Sequence, residues 1–306
     1  MGRRASLVIL TPLYSEDAQA HIGRQFMRPT HFFAATFLAA ATCAMAAPAA
    51  AQDNPAPSLE TVLAAEVRTD ESSRDQYRRP AETLAFFQVE SDMNVVEYGP
   101  GGGWYSRVLL PWIAPSGKYM AMRGDSSTLS FSSRAAQVRT MGWPEAFPAA
   151  ITENLAQSAG DVTAFESDEI PDGVAGTVDR VLVIRSLHSL LGSNVADGEL
   201  RIIRSLLKDD GMVGVVQHRA PETASFEHGN GSRGYLRQSD VVRLFELHGF
   251  ELVEASELNA NPDDTANWEA GVWTLPPVLR LGEQDRDRYL GIGESDRMTL
   301  LFRKRD

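Results

Sequence analysis

The stretch Asn94-Val95-Val96-Glu97-Tyr98-Gly99-Pro100-Gly101-Gly102-Gly103-Trp104-Tyr105 restricts the fold more than any other part of the chain. A β-branched run ends in an acid, spaced glycines follow, and an amphipathic segment runs from Trp104 to Leu110. This order predicts a strand, a tight turn and the start of a helix. Glycine suits such a turn because it takes φ > 0 without steric cost and lets the backbone approach a ligand closely. The helix start then presents N–H groups that lack intrahelical partners to a polar or anionic group. The segment therefore predicts a nucleotide-like ligand at the carboxyl end of a strand.

Strand-like apolar runs recur around it, at Lys118–Met122, Val162–Phe165, Val178–Ile184, Met212–Val216, Phe250–Ala255 and Met298–Phe302. Helical patterns separate most of them, at Pro144–Gln157, Glu199–Leu207 and Ser239–Leu247. Alternation of this kind predicts an α/β fold with a mostly parallel sheet and helices on both faces. Val178–Ile184 is apolar almost throughout, as a central strand buried on both faces should be. A long polar, Pro-rich excursion precedes the last run, so the seventh strand is expected to enter antiparallel. A helical segment over 58–87 comes before the first strand, with Pro80 suited to a first helical turn.

Residues 1–51 read as an N-terminal extension and signal peptide. Met27-Arg28-Pro29 is a short basic start, Phe32 to Ala47 is apolar and Ala-rich, and Ala49-Ala50-Ala51 supplies an A-x-A pattern. Cleavage is expected after Ala51, leaving 52–306 as one domain without a stable membrane span, periplasmic or secreted. Cys43 is the only cysteine of the 306 residues, so the remaining chain has no disulfide or thiol chemistry. The formal net charge of -12 excludes nucleic acid as a main partner, because phosphate binding needs clustered Lys and Arg.

A dinucleotide fingerprint would be G-x-G-x-x-G, which counted from Gly99 requires glycine where Trp104 stands. The actual pattern, Glu97 to Gly103, is E-x-G-x-G-x-G, the form seen in class I methyltransferases that use S-adenosylmethionine (SAM). Longer motifs extend the likeness: Tyr77-Arg78-Arg79-Pro80-Ala81-Glu82-Thr83, His218-Arg219-Ala220-Pro221, Asn259-Ala260-Asn261-Pro262, Gly271-Val272-Trp273-Thr274-Leu275-Pro276-Pro277 and Gly293-Glu294-Ser295-Asp296-Arg297-Met298. With these, residues 58–303 resemble a family of exported bacterial class I SAM-dependent methyltransferases. The resemblance implies a Rossmann-like sheet of seven strands with the last antiparallel, SAM as cofactor and a small molecule or envelope component as acceptor. Glu97, Gly99, Gly101, Gly103, Trp104 and Tyr105 are the expected cofactor-binding residues of the turn. In such folds an acid ending the second strand holds the ribose. Here that strand ends Met122-Arg123, leaving Asp125 as a late substitute, with Glu166 or Asp168 for the adenine.

Arg185 and His188 follow the central strand, and His218 and Arg219 follow the fifth. Histidine suits proton transfer near neutral pH, and arginine suits carboxylate or phosphate. These four, with Tyr235 beyond a glycine-rich loop expected to act as a lid, are the candidate catalytic residues. No tight H-x-x-x-H or H-E-x-x-H spacing occurs, so no metal site is expected. A G-x-S-x-G elbow is also missing, which argues against an α/β hydrolase. The missing ribose acid and the exported location leave open a non-catalytic ligand-binding protein with the same fold.

Overall fold

The β-branched and aliphatic runs assemble into one sheet. The computed structural model describes residues 56–305; the leader at 1–51, its cleavage point and Cys43 lie outside them. The strands are β1 (Asn94–Tyr98), β2 (Lys118–Arg123), β3 (Val162–Glu166), β4 (Val178–Ile184), β5 (Leu207–Ala220), β6 (Leu236–Arg237), β7 (Phe250–Ser256) and β8 (Arg297–Lys304). Their order is β3-β2-β1-β4-β5-β8-β7, with the two-residue β6 paired to the end of β5. β1 to β5 are parallel, while β8 is antiparallel to both β5 and β7. This is a mostly parallel, Rossmann-like α/β sheet with the reversed last strand that the sequence predicts.

Side chains alternate across a strand, so each strand feeds two cores. Val96, Val181 and Val183 pack under helices Ala196–Leu206 and Gln238–Leu247. Val95, Leu182 and Ile184 pack against helix Ser106–Ile113 and the N-terminal helix Pro80–Phe86, where Pro80 occupies the first turn. β4 lies at the centre, with Val181 to Val183 fully buried. β5 is longer than its apolar run because the sheet's rim accommodates its polar start: Lys208 pairs with Asp179 at 2.6 Å. Helix Arg134–Met141 escapes a periodicity reading because it buries no residue.

Gly214 in β5 lets the sheet meet the N-terminal helix. A Cβ there would stand 2.5 Å from Cγ of Phe87, a fully buried ring that cannot swing away. Gly214→Ala is therefore expected to lower stability by about 1–3 kcal/mol through overpacking. A urea midpoint equal to that of the parent protein would contradict this contact.

The excursion between β7 and β8 has its own small core of Tyr235, Trp268, Leu275 and Tyr289. One carboxylate organises it. Asp264 accepts hydrogen bonds from the Tyr235 hydroxyl at 3.0 Å, Trp268 Nε1 at 2.8 Å and the Asp296 N–H at 2.9 Å. Among the described residues no helix is long and apolar enough to cross a membrane.

Candidate functional site

The sheet order reverses between β1 and β4, and the connections that follow them leave in opposite directions. Such a switch point opens a crevice beyond the carboxyl ends of the two strands. A cleft of about 920 Å³ occupies this place. That volume lies within the range of small-molecule and cofactor sites.

Gly99, Gly101 and Gly103 take φ of 64°, 57° and 76°, the left-handed region expected of this turn. They serve different ends. A Cβ on Gly103 would fall 2.4 Å from Cδ1 of Ile151, and this residue does not line the cleft; its glycine is a packing requirement. A Cβ on Gly101 would meet nothing within 4 Å, so the backbone there faces open space. Glu97 braces the turn from below. Its Oε2 accepts from Ser106 Oγ at 2.6 Å and Tyr119 Oη at 2.7 Å, tying β1 to the following helix and to β2. Burial raises the Glu97 pKa, although these hydrogen bonds and the nearby arginines act the other way.

The N-terminal segment supplies one wall. Glu71 is bound by Arg107 through Nε at 2.9 Å, and Arg107 also donates to the Gly102 carbonyl at 2.9 Å. Trp104 is buried against Tyr105, with ring centroids 4.8 Å apart, and Arg78 lies over its ring at 4.5 Å. On the opposite wall, Trp273 stands 6.0 Å from the His188 ring, with Pro276 and Pro277 beside it.

His188 and His218 are brought together, their rings 5.8 Å apart, and both line the cleft. The Gln217 amide donates to the Gly234 carbonyl at 2.8 Å, which fixes its orientation and points its N–H at His188 Nδ1, 3.4 Å away. His188 Nδ1 is then the acceptor, and Nε2 carries the proton of the neutral ring. His218 Nδ1 pairs with Ser295 Oγ at 2.6 Å. Burial lowers the His188 pKa, with Arg185 adding to the effect, and lowers that of His218 further, helped by Arg185 and His188.

Both imidazoles are accordingly neutral in the folded protein at pH 7. Unfolded histidine binds protons below about pH 6.5, so the unfolded chain takes up more protons there than the folded one and stability falls with acidification. The loss is at most about 1.4 kcal/mol per pH unit for each histidine. Glu97, whose folded pKa is raised, contributes in the opposite direction at lower pH. The melting temperature is expected to drop between pH 7 and 5.5, and His218→Gln should flatten that slope; a rise on acidification would contradict the assignment.

Arg185 follows β4 with a φ of 58° and lines the cleft. Its backbone N–H is held by the Val216 carbonyl at 2.7 Å, but its buried Nε has no hydrogen-bond partner among the described residues. Burial, with Arg297 next in effect, brings its pKa down to about 10.

Five expected site residues lie elsewhere, the exposed Asp168 among them. Arg219 faces away from the cleft, paired with Asp296 at 2.8 Å and Glu257 at 2.7 Å. Tyr235 is fully buried on Asp264, and the glycine-rich loop before it is a hydrogen-bonded turn, with Gly231 N–H donating to the Tyr235 carbonyl at 3.0 Å. Asp125 caps the turn at Ser126–Thr128, accepting from the Ser127 N–H at 2.7 Å. Glu166 pairs with Arg123 at 3.1 Å and accepts from the Ser126 N–H at 2.8 Å. At the end of β2, where an acid would meet the ribose, Arg123 itself lines the cleft, over the Trp143 ring at 5.3 Å. Asp125, Glu166 and Asp168 hold one oxygen each within 4.8 Å of one another, with Glu166 already engaged by Arg123.

Sequence reasoning assigned no role to Arg74, Trp143, Glu294 or Ser295, all of which line the cleft. The signal for two of them was the motif Gly293 to Met298, conspicuous in the sequence but without an obvious chemical use.

No protein-family profile matches the chain, and none of the curated proteins matches it. Solved structures are similar in backbone course. A SAM-dependent methyltransferase from Aquifex aeolicus is 17% identical with a TM-score of 0.43, covering 66% of this chain and 93% of its own. A type 11 methyltransferase from Sulfolobus solfataricus is 15% identical with a TM-score of 0.42, covering 76% and 94%. A chain from the Haloferax volcanii complex of the Trm112 methyltransferase activator with a methyltransferase is 16% identical with a TM-score of 0.46, covering 81% and 98%. Likeness at this level says nothing of cofactor or acceptor.

Proposed function

We propose that the chain is a SAM-dependent methyltransferase acting on a small molecule. One observation carries this reading: the Glu97–Gly103 turn lies at the switch point of the sheet, with Gly101 in the left-handed region and open space where its Cβ would be. The turn fits the methionine part of SAM, which Gly99, Gly101 and Gly102 would hold. When bound, the cofactor supplies an electrophilic methyl group.

The chain's own residues would prepare the acceptor. His188, protonated on Nε2, is a hydrogen-bond donor to it. His218 would serve as the base in the tautomer whose Nδ1–H donates to Ser295, because Nε2 then keeps its lone pair, although burial makes it a weak one. Burial keeps the ring neutral, which leaves this lone pair available at neutral pH. Trp273, Val272 and Trp143 would restrict water around the reacting atoms. The leader read in the sequence supports a reaction in the periplasm or outside the cell.

Calorimetry with SAM and with its demethylated product S-adenosylhomocysteine (SAH) tests the reading. Submillimolar binding of SAH is expected, and no binding of either compound at millimolar concentration would sink it. A second reading, a non-catalytic ligand-binding protein on the same fold, is favoured by Arg123 in place of the ribose acid and by its engagement with Glu166. Methyl transfer to any component of an envelope extract would exclude that second reading.

A further inference from the structure

Two motifs that sequence reasoning left without a role meet beside the cleft. Glu294, from the segment before β8, takes Arg74 Nε at 2.7 Å, Arg78 Nε at 3.0 Å and Arg297 Nη1 at 3.1 Å. One carboxylate thus serves three guanidinium groups. Their hydrogen-bonding capacity is not used up: Arg74 Nη2 and both Nη atoms of Arg78 are buried without a partner among the described residues. Arg185 lies within electrostatic reach of Arg74, Arg297 and Glu294, has no ion-pair partner of its own among the described residues, and keeps its Nε unpartnered. The other cleft arginines are compensated, Arg107 by Glu71 and Arg123 by Glu166. Glu97 also lines the cleft within electrostatic reach of Arg185, but its carboxylate is taken up by Ser106 and Tyr119, so the Arg74–Arg185 side keeps a surplus of positive charge in a protein whose net charge is -12.

Buried guanidinium groups without counter-charge are costly, and a planar fork of donors matches an oxyanion. SAM cannot balance this side by itself: it carries a sulfonium and an ammonium against a single carboxylate, so even with that carboxylate on one guanidinium its binding would add to the positive surplus. A second negative group, carried by the acceptor, would match the guanidinium left over.

We propose that Arg185 and Arg74 form an oxyanion subsite, and that the acceptor is a small carboxylate- or phosphate-bearing compound whose apolar body lies along Trp273, Pro276 and Pro277. His218 and Ser295 border this subsite, which places the acceptor's reactive atom near the base. The assignment of this ligand as methyl acceptor rests on the methyltransferase reading; the oxyanion subsite itself does not.

Calorimetry at low ionic strength with benzoate, phenyl phosphate and the neutral isostere benzamide tests the subsite, with SAH titrated separately. Benzoate or phenyl phosphate is expected to bind at least about tenfold more tightly than benzamide, and the stronger of the two anions identifies the class of headgroup. Arg185→Gln should remove that preference, while Arg185→Lys, which keeps the charge but loses the fork, should retain part of it. Equal affinities of the parent protein for benzoate, phenyl phosphate and benzamide, or no binding of any, would overturn the subsite, and this comparison needs no variant to fold. An anion preference lost in Arg185→Gln, alongside an absence of SAH binding, would uphold the subsite and sink the methyltransferase reading instead.

Discussion

Replacing Glu294 with glutamine is expected to lower the unfolding free energy by about 3–5 kcal/mol, the range seen when one partner of a buried ion pair is removed. Glutamine keeps the shape and can still accept hydrogen bonds, so the loss isolates the charge. Arg78 and Arg297 are almost fully buried, with side chains 1% and 3% exposed, and neither has another carboxylate partner among the described residues. The substitution would strand both in a low-dielectric surrounding, together with the partly buried Arg74. Against a typical total stability of about 5–15 kcal/mol, this brings the protein close to unfolding. Glu257→Gln provides the contrast. Glu257 is 70% exposed, and its partner Arg219 retains Asp296, so a change below about 1 kcal/mol is expected. Urea denaturation of the two variants beside the parent protein checks both; similar small losses in each would show that the arginine cluster does not depend on its carboxylate.

The second large effect is on binding. Gly101→Arg is expected to weaken SAH by at least about 100-fold, equivalent to about 2.8 kcal/mol. The backbone at Gly101 takes φ 57°, where a non-glycine residue costs roughly 1–2 kcal/mol, but no neighbouring atom obstructs its Cβ. The fold should therefore survive with a modest fall in melting temperature. The new side chain would fill the space above the turn and add a cation to a site already rich in arginine. A folded Gly101→Arg protein that binds SAH as tightly as the parent would place the cofactor somewhere else.

How far the sequence could be read depended on the distance over which its signals act. The seven main strands are legible because a buried strand must be apolar over consecutive residues, and β4 is apolar almost throughout. The glycine turn is legible because three positions need φ > 0 within a few residues. The end of β2 at Arg123 was equally visible, and with it the loss of the usual ribose acid. Helix Arg134–Met141 was not, because it buries no face and so carries no apolar period. Arg219 was expected in the site from its place after the fifth strand, and Tyr235 from its place beyond a glycine-rich loop. Yet the end of β5 turns Arg219 toward Asp296, and Asp264 takes the Tyr235 hydroxyl.

The chain by itself determined the sheet, the position of its switch point and the turn that marks it, because these follow from periodicity and backbone conformation. It also announced Arg185, His188 and His218, which local order delivers to the carboxyl ends of β4 and β5. Only the tertiary structure decided which charges are compensated. Arg74 and Glu294 are 220 residues apart, and no local pattern shows that one carboxylate serves three arginines while Arg185 forms no ion pair among the described residues. Electrostatic balance in a buried site is a property of the assembled surroundings, and here it is what separates the arginines paired within the fold from the one left without an ion pair beside the cleft.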